Sequence, residues 1–368
     1  MSNVTSAELP RNKLTFLDKL KIGFSILSLP VVVVWALLKS PFTTRGRSLG
    51  WRRIAHDSAV RRIIRTMNRR QMRALVPTTL AGYLTFMKQE KMEPLVEEIG
   101  EDARLLWISR RQTDRVLLYF HGGAFLFSAG PSAPAFWSFI QKNLKSRGQN
   151  VDAVMLNYTL VPDAMFPVQL RQAVLSIQYL LTLGFEPKNI HLVGDSAGGA
   201  LLHQLISHIL HPMEGIPKLT LTSPFGAVYM MSPWTRMAEG KGSHLHVNDG
   251  KGDVIVKSTG TYWGAKVLHG ATPYAIPYLE AASAPEDWLQ GIDKCVKRVL
   301  ITAGDLEILR DDILDYGKRV GEYLEDTTII VQENAIHDDP FLDFLVGEKK
   351  MGSLTPKILD WLEEGLSR

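Results

Sequence analysis

The feature that most constrains this chain is an alternation. From about residue 100 onward, short apolar runs are separated by helical stretches. The runs are ARLLWIS, RVLLYF, VDAVMLNY, IHLVG, RVLITA and TTIIVQ. The helical stretches include FPVQLRQAVLSIQYLLTLG, AGGALLHQLISHIL, RDDILDYGKRVGEYLE and the terminal TPKILDWLEEGL. Near-continuous apolar strands alternating with helices predict an α/β fold, a mostly parallel sheet covered on both faces. Ligand sites in such sheets lie beyond the carboxyl ends of the strands. Chemistry is therefore sought in the residues just after each run. The 368 residues, 45% of them hydrophobic, suit one such domain with an appendage.

The appendage is N-terminal. Residues 1–75 hold 15 lysines and arginines against Glu8, Asp18 and Asp57, a net +12, whereas the remainder is net −8. The mildly acidic body argues against a nucleic-acid partner, and the basic segment suits a membrane surface. Ile22–Leu38 is apolar and uncharged over 17 residues, with Lys21 and Lys39 at its ends. That is the short edge of what crosses a bilayer. A membrane anchor is expected in preference to a cleaved signal, because KSPFTTRGR is a poor cleavage site. Next, Val60, Ile63, Ile64, Met67 and Leu75 mark a helical apolar stripe, with Arg61, Arg62, Arg65, Arg69, Arg70 and Arg73 on the other faces. This helix is expected either to lie on anionic headgroups or to form a lid with its arginines in water. The domain reading is an anchor and basic segment over 1–75 and a catalytic domain over 76–368. Residues 77–101 and 220–285 are expected to form a helical cap. Cys295 is the single cysteine, so no intrachain disulfide is possible, and it reads as a core thiol.

Three stretches carry chemistry. Gly194-Asp195-Ser196-Ala197-Gly198 fits G-x-S-x-G between a strand and a helix. Small flanking residues permit the strained turn that exposes a nucleophilic serine, and the helix N-terminus favours negative charge there. His121-Gly122-Gly123-Ala124 follows a strand directly. Its backbone can turn amides toward one point, so Gly122, Gly123, Ala124 and the helix-starting Ala197 are the candidate oxyanion donors. His121 sits inside that loop and reads as structural. His337, after the last strand, is the candidate base, since the chain order is serine, acid, histidine. The acid lies in GDLEILRDD. Asp311 and Asp312 suit the first turn of a helix, which leaves Asp305 and Glu307. His244 and His246 lack a third ligand and read as a solvated loop, within the polar stretch MAEGKGSHLHVNDGKGD.

Together these motifs resemble the hormone-sensitive-lipase-like branch of the α/β-hydrolases. HGGAF is similar to its glycine loop and GDSAGG to its serine elbow. NYTLVPDAMFPVQL, SPW at Ser232–Trp234 and LRDD also fit, over about Leu117 to Pro340. The resemblance puts Glu307 at the catalytic acid, where the family usually has Asp, and keeps Asp305 as the alternative. With the N-terminal segment, the chain looks like the membrane-anchored deacetylases of this branch, above all fungal steryl acetyl hydrolases. The implied activity is removal of acetyl or short acyl groups from apolar alcohols at the endoplasmic reticulum, with no cofactor or metal. An amidase, a lactonase, an acyltransferase and a non-catalytic binding protein are the alternatives.

Overall fold

The computed structural model describes residues 14–238, 248–250, 252–348 and 352–368. His244 and His246 lie outside them. One eight-stranded sheet organises the chain: β1 (Leu95–Gly100), β2 (Ala103–Trp107), β3 (Val116–Phe120), β4 (Asp152–Asn157), β5 (Ile190–Asp195), β6 (Ala227–Met231), β7 (Val299–Gly304) and β8 (Thr327–Gln332). Their spatial order is β1-β2-β4-β3-β5-β6-β7-β8. β1–β2 and β2–β4 pair antiparallel, and all later pairs are parallel.

The helices are α1 (Phe16–Leu27), α2 (Leu29–Lys39), α3 (Thr44–Ser48), α4 (Trp51–Thr66), α5 (Arg69–Leu75), α6 (Thr79–Glu90) and α7 (Ser132–Ser146). They continue as α8 (Val168–Thr182), α9 (Ala197–Leu210), α10 (Lys257–Val267), α11 (Ile276–Leu279), α12 (Arg310–Tyr323), α13 (Asp339–Val346) and α14 (Leu354–Ser367). Strand pleating divides the core into two layers. β3 sends Leu118 and Phe120 to one layer, with Leu170 of α8, Leu201 of α9 and Ile313 of α12. It sends Leu117 and Tyr119 to the other, with Tyr83 of α6, Phe136 of α7 and Ile358 of α14. Both faces are covered, as near-continuous apolar strands require.

Three expectations need correction. First, residues 77–101 are not cap. α6 buries Tyr83, Phe86 and Met87 in the second layer, and Leu95–Gly100 is the edge strand β1, paired to β2. Second, the 220–285 stretch contains the central strand β6, all five residues of which are buried. α10 is the helix expected there.

Third, residue 75 is not a domain boundary. Val60, Ile64 and Met72 pack on the main core. Several arginines of α4 and α5 do not simply face water but tie the N-terminal helices to the rest of the chain. Arg53 is fully buried and pairs with Asp57 and Asp339, both at 2.7 Å, and with Asp343. Arg61 donates to the Asp253 carbonyl at 2.6 Å, and Arg69 to that of Val161 at 3.4 Å. Arg70 pairs with Asp18 at 2.9 Å and Arg73 with Asp163 at 2.6 Å. The apolar run Ile22–Leu38 lies within a helical stretch, Phe16–Phe42, whose most apolar 18 residues have a mean hydropathy of 2.1. That stretch is long and apolar enough to cross a membrane.

Candidate active site

Four neighbouring parallel strands deliver the site at their carboxyl ends. Ser196 follows β5, Ser232 follows β6, Glu307 follows β7 and His337 follows β8. Ser196 holds φ 49° and ψ −114°, a strained conformation for a side chain with a Cβ. Its neighbours make that bend possible. A Cβ on Gly198 would sit 1.9 Å from the Phe120 carbonyl oxygen, so only glycine lets α9 start this close to β3. Ser196 is buried, its amide donates to the Met231 carbonyl at 2.9 Å, and its carbonyl accepts from Trp234 at 2.9 Å.

The loop after β3 is equally constrained. Gly123, Ala124 and Phe125 hold φ of 104°, 56° and 57° in succession. Among the described residues no acceptor takes the amides of Gly123, Ala124 or Ala197. Gly122 departs from expectation. Its amide donates to Asp195 Oδ1 at 2.9 Å and is not available to an oxyanion. A Cβ there would meet the same carboxylate at 2.1 Å. Asp195 also accepts from Tyr119 Oη at 2.7 Å, and burial raises its pKa. It thereby ties the glycine loop to the serine turn. His121 is buried and stacked on Tyr158, with ring centroids 4.3 Å apart. Burial lowers its pKa to about 4, so it is neutral and structural. Cys295 is also buried, and burial pushes its thiol up to about 11, which leaves it inert.

Glu307, fully buried, and not Asp305, faces the imidazole. Its Oε1 lies 3.7 Å from His337 Nδ1. Its Oε2 accepts from Ser232 Oγ at 2.7 Å and from the Gly304 amide at 2.8 Å. The Asp305 carboxylate instead accepts from the Ala335 amide at 3.1 Å. Asp311 and Asp312 occupy the first turn of α12. His337 Nε2 lies 3.2 Å from Asp338 Oδ2, and no hydrogen bond joins it to the Ser196 hydroxyl. Burial alone would lower the imidazole pKa, but Asp338, Glu307 and Asp253 together raise it to about 10. These carboxylates favour the protonated ring, which must shed a proton and turn toward Ser196 to act as a base.

A second clamp joins the acid and base loops. Asp253 is buried and accepts from the Ile308 amide at 2.8 Å and from the His337 amide at 3.1 Å. Asn248, also buried, donates to the carbonyls of Asp305 and Glu307 at 3.2 and 2.8 Å. Ser232 adds a link from the other side, accepting from the Asp338 amide at 3.2 Å.

The family model described as the alpha/beta hydrolase fold matches residues 117–340. The chain belongs to that family. Steryl acetyl hydrolase 1 of Saccharomyces cerevisiae is 23% identical over 253 residues, which cover 63% of this chain and 55% of that protein. Human hormone-sensitive lipase is 31% identical over 121 residues, 30% of this chain and 11% of that protein. The chain therefore spans about half the length of the yeast relative and a small part of the human one. A crystal structure of an esterase/lipase from an uncultured bacterium matches with a TM-score of 0.64 at 20% identity, covering 87% of this chain and all of that one. That likeness is one of fold.

Within this α/β-hydrolase, four residues at the site had no assigned role in the sequence reading. Ser232 carried a signal, the SPW motif, but not a function. Asp338 adjoins His337 in sequence, and acidity beside the base was its only signal. Asn248 and Asp253 lie in a polar stretch whose composition reads as a loop, and nothing local marks them.

Proposed function

We propose that this protein is a serine carboxylic-ester hydrolase that removes acetyl or other short acyl groups from apolar alcohols, with sterols as the leading class. The observation that carries the reading is the convergence of Ser196, Glu307 and His337 on one sheet edge beside the unengaged amides of Gly123, Ala124 and Ala197. The Ser196 hydroxyl attacks the acyl carbonyl while neutral His337 takes its proton. Glu307 fixes the imidazole tautomer and stabilises the imidazolium that forms. The three amides stabilise the tetrahedral oxyanion, each worth on the order of 10²–10³ in rate. The imidazolium then protonates the leaving alcohol, and water frees the acyl group by the reverse sequence. The steryl acetyl hydrolase relative supports the acetyl and sterol part of the reading. Membrane association through α1 and α2, at the endoplasmic reticulum, would place the enzyme where such esters dissolve.

The test is hydrolysis of p-nitrophenyl esters from acetate to palmitate by the detergent-solubilised protein and its Ser196→Ala variant, followed by acetylated sterols. Activity is expected to peak at acetate or butyrate and to vanish in the variant. Folded protein inactive at every chain length, or activity that survives in Ser196→Ala, overturns the reading.

A further inference from the structure

The N-terminal helices do not project from the body. Their polar ties run along α1 to its junction with α2. Asp18 accepts from Gln71 at 3.0 Å, Ser25 Oγ donates to Thr66 at 2.9 Å, and Arg62 donates to Ser28 at 2.9 Å. α2 packs along α4, which is itself welded to the catalytic domain through Arg53. The outward side is a continuous apolar stripe. Phe16, Leu20, Phe24, Leu27, Val31 and Leu38 are each between 53% and 80% exposed, at spacings of three, four and seven residues. If this helix spanned a bilayer in its present packing, Arg62 and Arg65 of α4 would enter the hydrocarbon beside it, where ionised groups are excluded. A helix with one apolar side out and cations behind suits the plane of the membrane surface.

Between α2 and α4 lies a cavity of about 780 Å³. Val32, Trp35 and Ala36 form its apolar wall, and Arg61, Arg62 and Arg65 its basic wall. Among the described residues none of these three arginines has a carboxylate within ion-pair distance. The acid that also lines the cavity, Asp57, is committed to Arg45 and Arg53. None of Ser196, Glu307 and His337 lines it. Guanidinium groups recognise phosphate oxygens through charge-assisted hydrogen bonds, and the apolar wall continues into the outward stripe.

We propose that this cavity binds the headgroup phosphate of an anionic phospholipid, with α1 and α2 lying in the plane of the bilayer surface. The proposal rests on the membrane-association reading above and specifies its partner. The test uses the full chain with phosphatidylcholine vesicles, with and without phosphatidylglycerol, and two double variants of equal charge. Arg62→Gln/Arg65→Gln alters the cavity. Arg47→Gln/Arg52→Gln alters exposed arginines outside it. Arg65→Gln alone is the cleaner third variant, since that side chain makes no hydrogen bond among the described residues.

Wild type is expected to prefer the anionic vesicles. Loss of surface charge costs the control pair roughly fivefold in affinity per charge removed. The cavity pair is expected to lose a further tenfold or more, with Arg65→Gln losing more than half the control pair's effect. Equal losses in the two pairs, or binding indifferent to phosphatidylglycerol, overturn the proposal. So does release of the protein from vesicles by excess glycerol phosphate, which would make the cavity a site for soluble phosphate esters. p-Nitrophenyl butyrate hydrolysis, measured in parallel in detergent, reports on catalysis alone. Its absence would count against the esterase reading and leave the vesicle result standing.

Discussion

Asp338 Oδ2 stands 3.2 Å from Nε2 of His337, the nitrogen that a base for Ser196 has to keep free. Burial would lower the His337 pKa, but the neighbouring carboxylates Asp338, Glu307 and Asp253 raise it to about 10. A raised pKa means that the neutral base appears only as pH climbs toward that value. The kcat/KM of the wild type is therefore expected to rise with pH through the alkaline range. Asp338→Asn removes the nearest negative charge and is expected to move this acid limb down by roughly 1–3 units. Stability follows the same sign. The charged imidazole stabilises the folded state fully below its ordinary value near 6.5, and that contribution is lost as pH rises through about 10. A pH–rate profile of the two proteins decides the point; an unmoved acid limb in Asp338→Asn removes Asp338 from the account.

The choice of triad acid makes a sharper contrast. Glu307 is held by Ser232 and Gly304 with its second oxygen toward His337, whereas Asp305 serves the Ala335 amide. Glu307→Gln keeps the shape but loses the charge, and kcat is expected to fall by about 10⁴. Asp305→Asn keeps an oxygen acceptor for the Ala335 amide and loses only the charge, and its kcat is expected within roughly fivefold of wild type. The reverse ranking in single-turnover assays would return Asp305 to the triad.

The contrast also marks how far sequence reaches. Ser196 and His337 are legible because each sits in a local motif at the end of an apolar run; the residues leave Asp305 and Glu307 open, and the family resemblance selects Glu307. Six of the eight strands are legible as apolar runs. β1 escapes because, as an edge strand, it carries Glu97 and Glu98 and is only half-buried. β6 escapes because its five buried residues are embedded in polar, proline-containing sequence. Gly122 reads as an oxyanion donor until Asp195, 73 residues away, is seen to occupy its amide. Asp253 meets His337 across 84 residues, and no periodicity encodes that meeting.

Asp253 is expected to act as a positioning residue. Its two oxygens hold the amides of Ile308 and His337, which follow or carry the acid and the base. Asp253→Asn keeps one acceptor and Asp253→Ala keeps none. The expected order of kcat is wild type, then Asn, then Ala, with the last down about 10²-fold, the cost of a misplacement near 1 Å. KM should change little. Burial pushes the Asp253 pKa up to about 6, so above that pH its charge adds to the proton affinity of His337. Both variants should therefore also lower the acid limb of the pH–rate profile. Wild-type kcat in Asp253→Ala would show that Ser232 and Asn248 suffice to hold the two loops.

Arg53 tests whether the N-terminal helices belong to the catalytic unit. It is fully buried among Asp57, Asp339 and Asp343, and Asp339 lies two residues beyond His337. Arg53→Met leaves Asp343 without a counter-ion and Asp57 and Asp339 with Arg45 alone, and is expected to cost about 3–5 kcal/mol in urea unfolding at neutral pH. The sign of the pH effect separates this cause from simple misfit. Burial would raise the Asp57 pKa, but His56, Arg53 and Arg45 hold it below its ordinary value, so the wild type loses that contribution as pH falls. In the variant the stranded carboxylates bind protons more readily than in the unfolded chain. Its deficit relative to wild type should therefore shrink at acidic pH. A deficit independent of pH would assign the loss to packing alone. The same network predicts that a chain beginning at residue 76 does not yield a soluble, active hydrolase, because Asp339 and Asp343 then lose the arginines that neutralise them beside the base loop. Full esterase activity from that truncated chain would show that α4 is a tether and not part of the enzyme.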